Sequence, residues 1–507
     1  MFKSMVVGLL TAVSLSATAT PSWIDAKSAI QAMQQGELTS EQLVRYYLDR
    51  IEQHNQQGHN LAAVMDINPQ AIQQAQLRDQ ERASHNSHSA LHGLPVILKA
   101  NISTATMPTT AGALALKNHI TGRNAALVDQ LEQAGAIILG TANLSEWANF
   151  RGTGSASGWS ALGGQARNPH LLTHTPCGSS SGSAVAVAAD LALLAVGTET
   201  DGSIMCPAAI NGVVGIKPTR GAVAGEGIIP IASAQDIAGP MARHVFDAAL
   251  LLDAMLSDEA RKQLPVALTK ATEQAPELSK VILVRAYDEQ DEAIGPMMDG
   301  IAEFLLQQGI AVVSVDEWQL PAELYQDELK VLMYEYRREL DQWLQDYGVD
   351  DSVNSVAKVV AFNQAKGEEA LAFFGQEYLE QAANLDLELE NEDYQRALAN
   401  GRQLAMNALD QYLKELEADA IILPSYGPAW PIDHINGDVF NFGTSTAAAV
   451  AGYPSITLPG GFSGVLPLGV SLVGLPWSEP TLIGLAALME KELKAYQQPT
   501  FLSQDKE

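Results

Sequence analysis

The chain reads as an α/β protein: a layered sheet covered by helices on both faces. Two observations carry this. Short apolar, strand-like runs alternate with helix-period segments along most of the sequence, the pattern of a sheet whose strands are buried on both sides. The 507 residues are 47% hydrophobic but only 6% aromatic, with 40 Gly, which suits tight helix–sheet packing by small and branched side chains. A third feature interrupts the pattern. Residues 323–417 are helical in texture, highly acidic and free of strand candidates, and read as an α-helical insertion or cap.

The elements follow in order. Ile24 to Gln35 reads as a helix stopped by Gly36, and Thr39 with Gln42 as a capping box opening a second helix through Leu43, Tyr47 and Ile51. The run Leu94-Pro95-Val96-Ile97-Leu98-Lys99 reads as a strand. Asn124 to Gly140 is a helix leading into apolar Ala136–Leu139, and Asn149 to Asn168, rich in Gly and Ser, is a loop lining something. Ser183 to Leu194 is an Ala/Val helix flowing into a short strand, Ala195-Val196. Strands at Val281–Val284 and Ile310–Val315 flank a helix over Ile294–Gln308. After the insertion come strands at Ala420–Leu423, Ile456–Leu458 and Val470–Val473, and a last helix from Pro480.

Composition excludes some functions. With 30 Lys+Arg against 59 Asp+Glu, the net charge of −29 opposes nucleic-acid binding, which needs basic patches. Residues 1–19 carry Lys3, a short apolar core from Val6 to Leu15 and a small-residue Ala17-Thr18-Ala19 site, the features of a secretory signal. The run falls short of the ~20 apolar residues of a membrane anchor. A periplasmic or secreted protein without a stable membrane anchor is expected. Two cysteines, Cys177 and Cys206, cannot build a disulfide framework. Each lies within three residues of a candidate serine, so if those serines meet the cysteines meet as well. Export is compatible with a disulfide, but two buried free thiols are the commoner outcome and the expectation here.

The chemistry concentrates between Lys99 and Ser203. Lys99 closes an apolar strand with no carboxylate adjacent in sequence, a setting that lowers a lysine pKa by desolvation. Gly178-Ser179-Ser180-Ser181-Gly182-Ser183 is a serine-glycine knot, and Gly197 to Ser203 is a loop running into Cys206-Pro207-Ala208-Ala209, where proline starts a helix. Such a loop presents free backbone N–H groups that can hold an oxyanion. A base, a relay hydroxyl and a nucleophile are the parts of an acyl-transfer site needing neither metal nor cofactor.

This order and texture resemble the amidase signature family, densely from Gly93 to Arg243. The resemblance implies a single α/β/α domain with a large, twisted mixed sheet over residues 20–507. It implies amide hydrolysis by a Lys99, Ser179, Ser203 triad, with a cis peptide bond before Ser179 and oxyanion donors at Thr200, Asp201, Gly202 and Ser203. Ser180 and Ser181 are then expected to supply supporting hydrogen bonds. Two departures stand out: Met205 where many members have arginine, and Asp201-Gly202 where many have Gly-Gly. With Trp159, Pro176-Cys177-Gly178 and Cys206 to Ala209, they resemble the bacterial peptide amidase branch. That implies a small-molecule or peptide amide substrate, with ammonia released from C-terminal amides. Pocket loops are expected at Phe150–Trp159, in the insertion and at Tyr426–Phe442.

Rival readings are weaker. Ser180 centres a nucleophile-elbow pattern, but no apolar strand precedes it. Ser355-x-x-Lys358 hints at a penicillin-recognising enzyme without its Lys-Thr-Gly partner. His85, His88 and His92 have metal-like spacing but no acidic co-ligand in their loop. Within the family, an aryl-acylamidase or general amidase is the alternative. A periplasmic solute-binding protein, the non-enzyme alternative, would have no use for the lysine–serine arrangement.

Overall fold

A computed structural model describes residues 22–274 and 276–503. Residues 1–19, read from the sequence as a secretory signal, lie outside the described residues. Eleven strands form one mixed sheet: β1 Val64–Ile67, β2 Pro95–Lys99, β3 Ile137–Ala142, β6 Leu194–Glu199, β7 Val214–Lys217, β8 Ile237–Ala242, β9 Lys280–Val284, β10 Ala311–Val315, β11 Ala420–Pro424, β12 Ser455–Ser463 and β13 Leu466–Val473. The two-residue strands β4 (Trp159–Ser160) and β5 (Gly164–Gln165) form a separate hairpin. The sheet order is β1-β3-β2-β6-β8-β7-β12-β13-β11-β9-β10. Strands β3, β2 and β6 run parallel, as do β11, β9 and β10, with antiparallel pairs between the two groups.

The local sequence explains the elements that frame the site. The first helix (Ala26–Gln35) ends at Gly36, which takes φ +72°. Thr39 and Gln42 close a reciprocal capping box on the next helix, Ser40–His54. The helix Ser181–Ala188 is buried at every residue. An Ala/Val helix with no polar face has no reason to reach solvent, and this one packs against β6 and β8. It begins two residues earlier than expected and β6 is longer, because residues 189–193 make the turn between them.

β1, β7 and β8 were not anticipated. β8 contains Gly239 and Pro240, residues that demote a strand reading, yet it is buried throughout. Between β10 and β11 lie five helices, Ala322–Asp346, Val356–Lys366, Glu368–Leu371, Glu377–Asn384 and Asn391–Leu413, with no strand among them. Residues of the first, second and fourth of these helices pack on Trp147, Phe150, Ile229 and Ile231 from the sheet side, forming their own apolar cluster. Among the described residues no helix is long and apolar enough to cross a membrane.

Candidate active site

The site sits at the carboxyl ends of the parallel neighbours β2 and β6, where connections leave an α/β sheet and ligands are commonly held. β2 ends in Lys99, fully buried. Its Nζ donates to Ser179 Oγ at 2.7 Å, to Thr198 Oγ1 at 2.8 Å and to the Thr198 carbonyl at 3.0 Å. Burial pulls the ammonium pKa down to about 7, against the raising pull of Asp236 and Glu199. Near neutral pH a sizeable share of the amine is therefore uncharged and able to accept a proton.

Ser179 is presented by a cis Gly178–Ser179 peptide bond. The serines after it stitch this segment to β6. Ser180 Oγ donates to the Thr198 carbonyl at 3.0 Å and accepts the Thr198 N–H at 3.1 Å. Ser181 Oγ donates to the Ser179 carbonyl at 3.4 Å. The Ser180 hydroxyl is thus spent on the backbone, which disposes of the elbow reading. The Ser180 N–H donates to the Ser203 carbonyl at 3.1 Å, so the Ser179 and Ser203 segments lie side by side.

The Ser203 turn is held from inside by Glu199. Its buried Oε2 accepts the N–H groups of Ile204 (2.7 Å) and Met205 (2.9 Å). The N–H groups of Asp201, Gly202 and Ser203 have no acceptor among the described residues. Thr200 points elsewhere with its side chain, donating from Oγ1 to Asp236 Oδ1 at 2.5 Å. Asp201 is anchored at both carboxylate oxygens, accepting from Ser445 Oγ (2.6 Å) and Thr446 Oγ1 (2.7 Å). Burial raises its pKa, and those two donors oppose the rise. Gly202 has φ +74°, and a Cβ there would stand 2.1 Å from Tyr426 Oη. The glycine is required both for the turn and for the tyrosine's approach.

Cys177 and Cys206 are joined by a disulfide, Cα–Cα 6.0 Å, which corrects the expectation of free thiols. The sequence placed each cysteine beside a serine, and the fold lays the two serine-bearing segments side by side. The bridge lines a cavity of about 550 Å³ that opens on Gly178, Asp201 and Gly202. Its other walls come from all three expected regions: Ser157 from the Gly-rich loop, Tyr325 from the insertion, and Tyr426, Trp430, Phe440 and Phe442 from the C-terminal loop. Tyr287, after β9, was not foreseen.

Away from this site, Ser355 caps the helix Val356–Lys366 by accepting the Lys358 N–H, and Lys358 Nζ binds the Asp351 carbonyl, which explains that serine–lysine pair structurally. The histidine loop does have an acidic neighbour, contrary to expectation. Glu81, from the preceding helix Ala71–Ala83, meets His88 and His92.

An amidase family profile matches residues 42–483. The chain is 35% identical over 521 residues to an Arabidopsis thaliana protein named a probable amidase, covering 98% of this chain and 96% of that one. It is 30% identical to a glutamyl-tRNA(Gln) amidotransferase chain from Symbiobacterium thermophilum, covering 93% and 97%. The solved structure of the native peptide amidase from Stenotrophomonas maltophilia superposes with a TM-score of 0.88 at 42% identity, covering 94% of this chain and 99% of that one. Fold and kinship together define an amidohydrolase, a hydrolase of carbon–nitrogen amide bonds. The chain belongs to the amidase signature family.

Proposed function

We propose that this enzyme hydrolyses unsubstituted carboxamides through a Lys99–Ser179–Ser203 relay, releasing ammonia from C-terminally amidated peptides or amino-acid amides. One observation carries the mechanism: a fully buried lysine amine, with its pKa near 7, lies 2.7 Å from Ser179 Oγ. Neutral Lys99 takes the Ser179 proton while Ser179 takes that of Ser203. Ser203 Oγ attacks the amide carbon, and the oxyanion is held by the loop Thr200, Asp201, Gly202 and Ser203, through its unpaired N–H groups. Collapse breaks the C–N bond and the relay, run backwards, protonates the leaving nitrogen. Water then attacks the acyl-Ser203 ester by the same route and leaves a carboxylate.

The substrate reading rests on the likeness to the peptide amidase structure and on the pocket beside the turn, which is lined by the disulfide and by aromatic side chains. A terminal –NH₂ asks for no room beyond the scissile bond, whereas an internal peptide bond asks the pocket to hold a continuing chain as well. The test compares ammonia release from a peptide amide with aniline release from an anilide. Much faster turnover of anilides or fatty amides would overturn the substrate and favour an aryl-acylamidase, leaving the relay standing.

Export to the periplasm or medium is part of the proposal. A disulfide in a two-cysteine protein fits an oxidising compartment.

A further inference from the structure

We infer that Glu81, His88 and His92 form a binding site for a transition-metal dication of the zinc type, outside the amidase site. One ligand atom from each lies within 4.8 Å of the others. His88 Nε2 and His92 Nε2 stand 3.6 and 3.7 Å from Glu81 Oε2. A tetrahedral ion with bonds of about 2.0–2.1 Å needs its ligand atoms roughly 3.3–3.4 Å apart, so each histidine has to close on Glu81 by only tenths of an ångström, while the two imidazoles lie within 4.8 Å of each other and draw together around the ion.

The surroundings favour imidazole ligation on His88. Its Nδ1 lies 3.0 Å from the Gln133 carbonyl, and donating there fixes the tautomer that turns the Nε2 lone pair toward Glu81. His92 is buried, and its Nε2 faces the Arg78 carbonyl at 3.0 Å. Taking an ion moves its proton to Nδ1, at the cost of a long 3.3 Å bond from the His88 N–H. Two nitrogens and one carboxylate suit zinc, copper or nickel and not calcium or magnesium, which want oxygen.

One group works against the ion. Arg78 pairs with Glu81 Oε2 at 2.7 Å and competes for the same oxygen. The competition gives the proposal a signature that surface histidine binding would lack. The consequence of occupation is local: the ion clips the loop before β2 to the helix Ala71–Ala83, three residues ahead of Pro95.

The experiment titrates chelator-treated full-length protein with ZnCl₂ by calorimetry, and with Co²⁺ while recording visible absorption. One ion per chain is expected, with tetrahedral Co²⁺ bands. Glu81→Gln and His88→Ala should each weaken binding at least about tenfold, and Arg78→Gln should strengthen it. Amide turnover should be the same with and without the ion, and serves to show that each variant is folded. Absence of saturable binding, or equal binding by wild type and His88→Ala, would overturn the site. An Arg78→Gln variant that binds no more tightly would overturn the role of Glu81 as a ligand.

Discussion

Cys177 and Cys206 covalently tie the segment that delivers Ser179 to the helix that follows Ser203. The bond therefore spans the two sides of the proposed relay, and it does so at the wall of the cavity beside it. Closing a loop of this separation, 29 residues, restrains the unfolded chain by about 3–4 kcal/mol in the chain-entropy view. The double variant Cys177→Ser/Cys206→Ser should lose roughly that much unfolding free energy in a denaturant titration. Its kcat should fall more than its KM rises, since the two serine segments lose their common anchor.

The lysine sets a pH profile. With a pKa of about 7, neutral Lys99 gains population as pH rises through neutrality. The value of kcat/KM should climb about tenfold per unit below pH 6 and level off above about pH 8. A profile flat from pH 5 to 9 would be incompatible with Lys99 as the base.

Single substitutions Lys99→Ala, Ser179→Ala and Ser203→Ala should each cost at least about a thousandfold in kcat with the melting curve still cooperative. Combining them should add little further loss, because the three groups act as one device. Mass spectrometry of wild type quenched with a slow ester substrate should find the acyl group on the peptide containing Ser203.

Gly202 and Tyr426 give a geometric test. Gly202→Ala should be nearly inactive, since its Cβ would meet Tyr426 Oη at 2.1 Å. Adding Tyr426→Phe removes that oxygen and should restore part of the rate. The rescue should be incomplete, because φ +74° and Ser445 Oγ, 3.0 Å from the same Cβ, still oppose a side chain.

The three residues proposed for the relay stand out in the sequence because they sit in one stretch with a recognisable order: a lysine ending an apolar strand, then two serine-bearing loops. Their supports were less so. Thr198 touches Lys99 through its side chain, yet as a residue of the Gly197–Ser203 loop it carries no sign of that role. Ser445, Thr446 and Tyr426 come from elements more than 200 residues away, and nothing in their local sequence points to Asp201. The disulfide was misjudged for a related reason. Cysteine count speaks to frameworks, whereas pairing depends on the spacing of two loops that only the fold fixes. Glu81 was missed beside the histidines because it lies on a helix before their loop. In the sheet, the long apolar runs announced β2, β3, β9 and β11, while β8 hid behind Gly239 and Pro240.

The tether of Asp201 to Ser445 and Thr446 crosses 244 and 245 positions of chain. The turn that carries Ser203 is therefore without this clamp while the polypeptide is still emerging from the ribosome, since the clamp is made far downstream of Lys99, Ser179 and Ser203. A chain truncated before Ser445 should therefore be silent toward amides, although it holds the lysine and both serines. Competence should arrive only with the stretch that carries Ser445 and Thr446, and any proteolytic nick that releases that stretch should switch the enzyme off without touching the proposed relay itself.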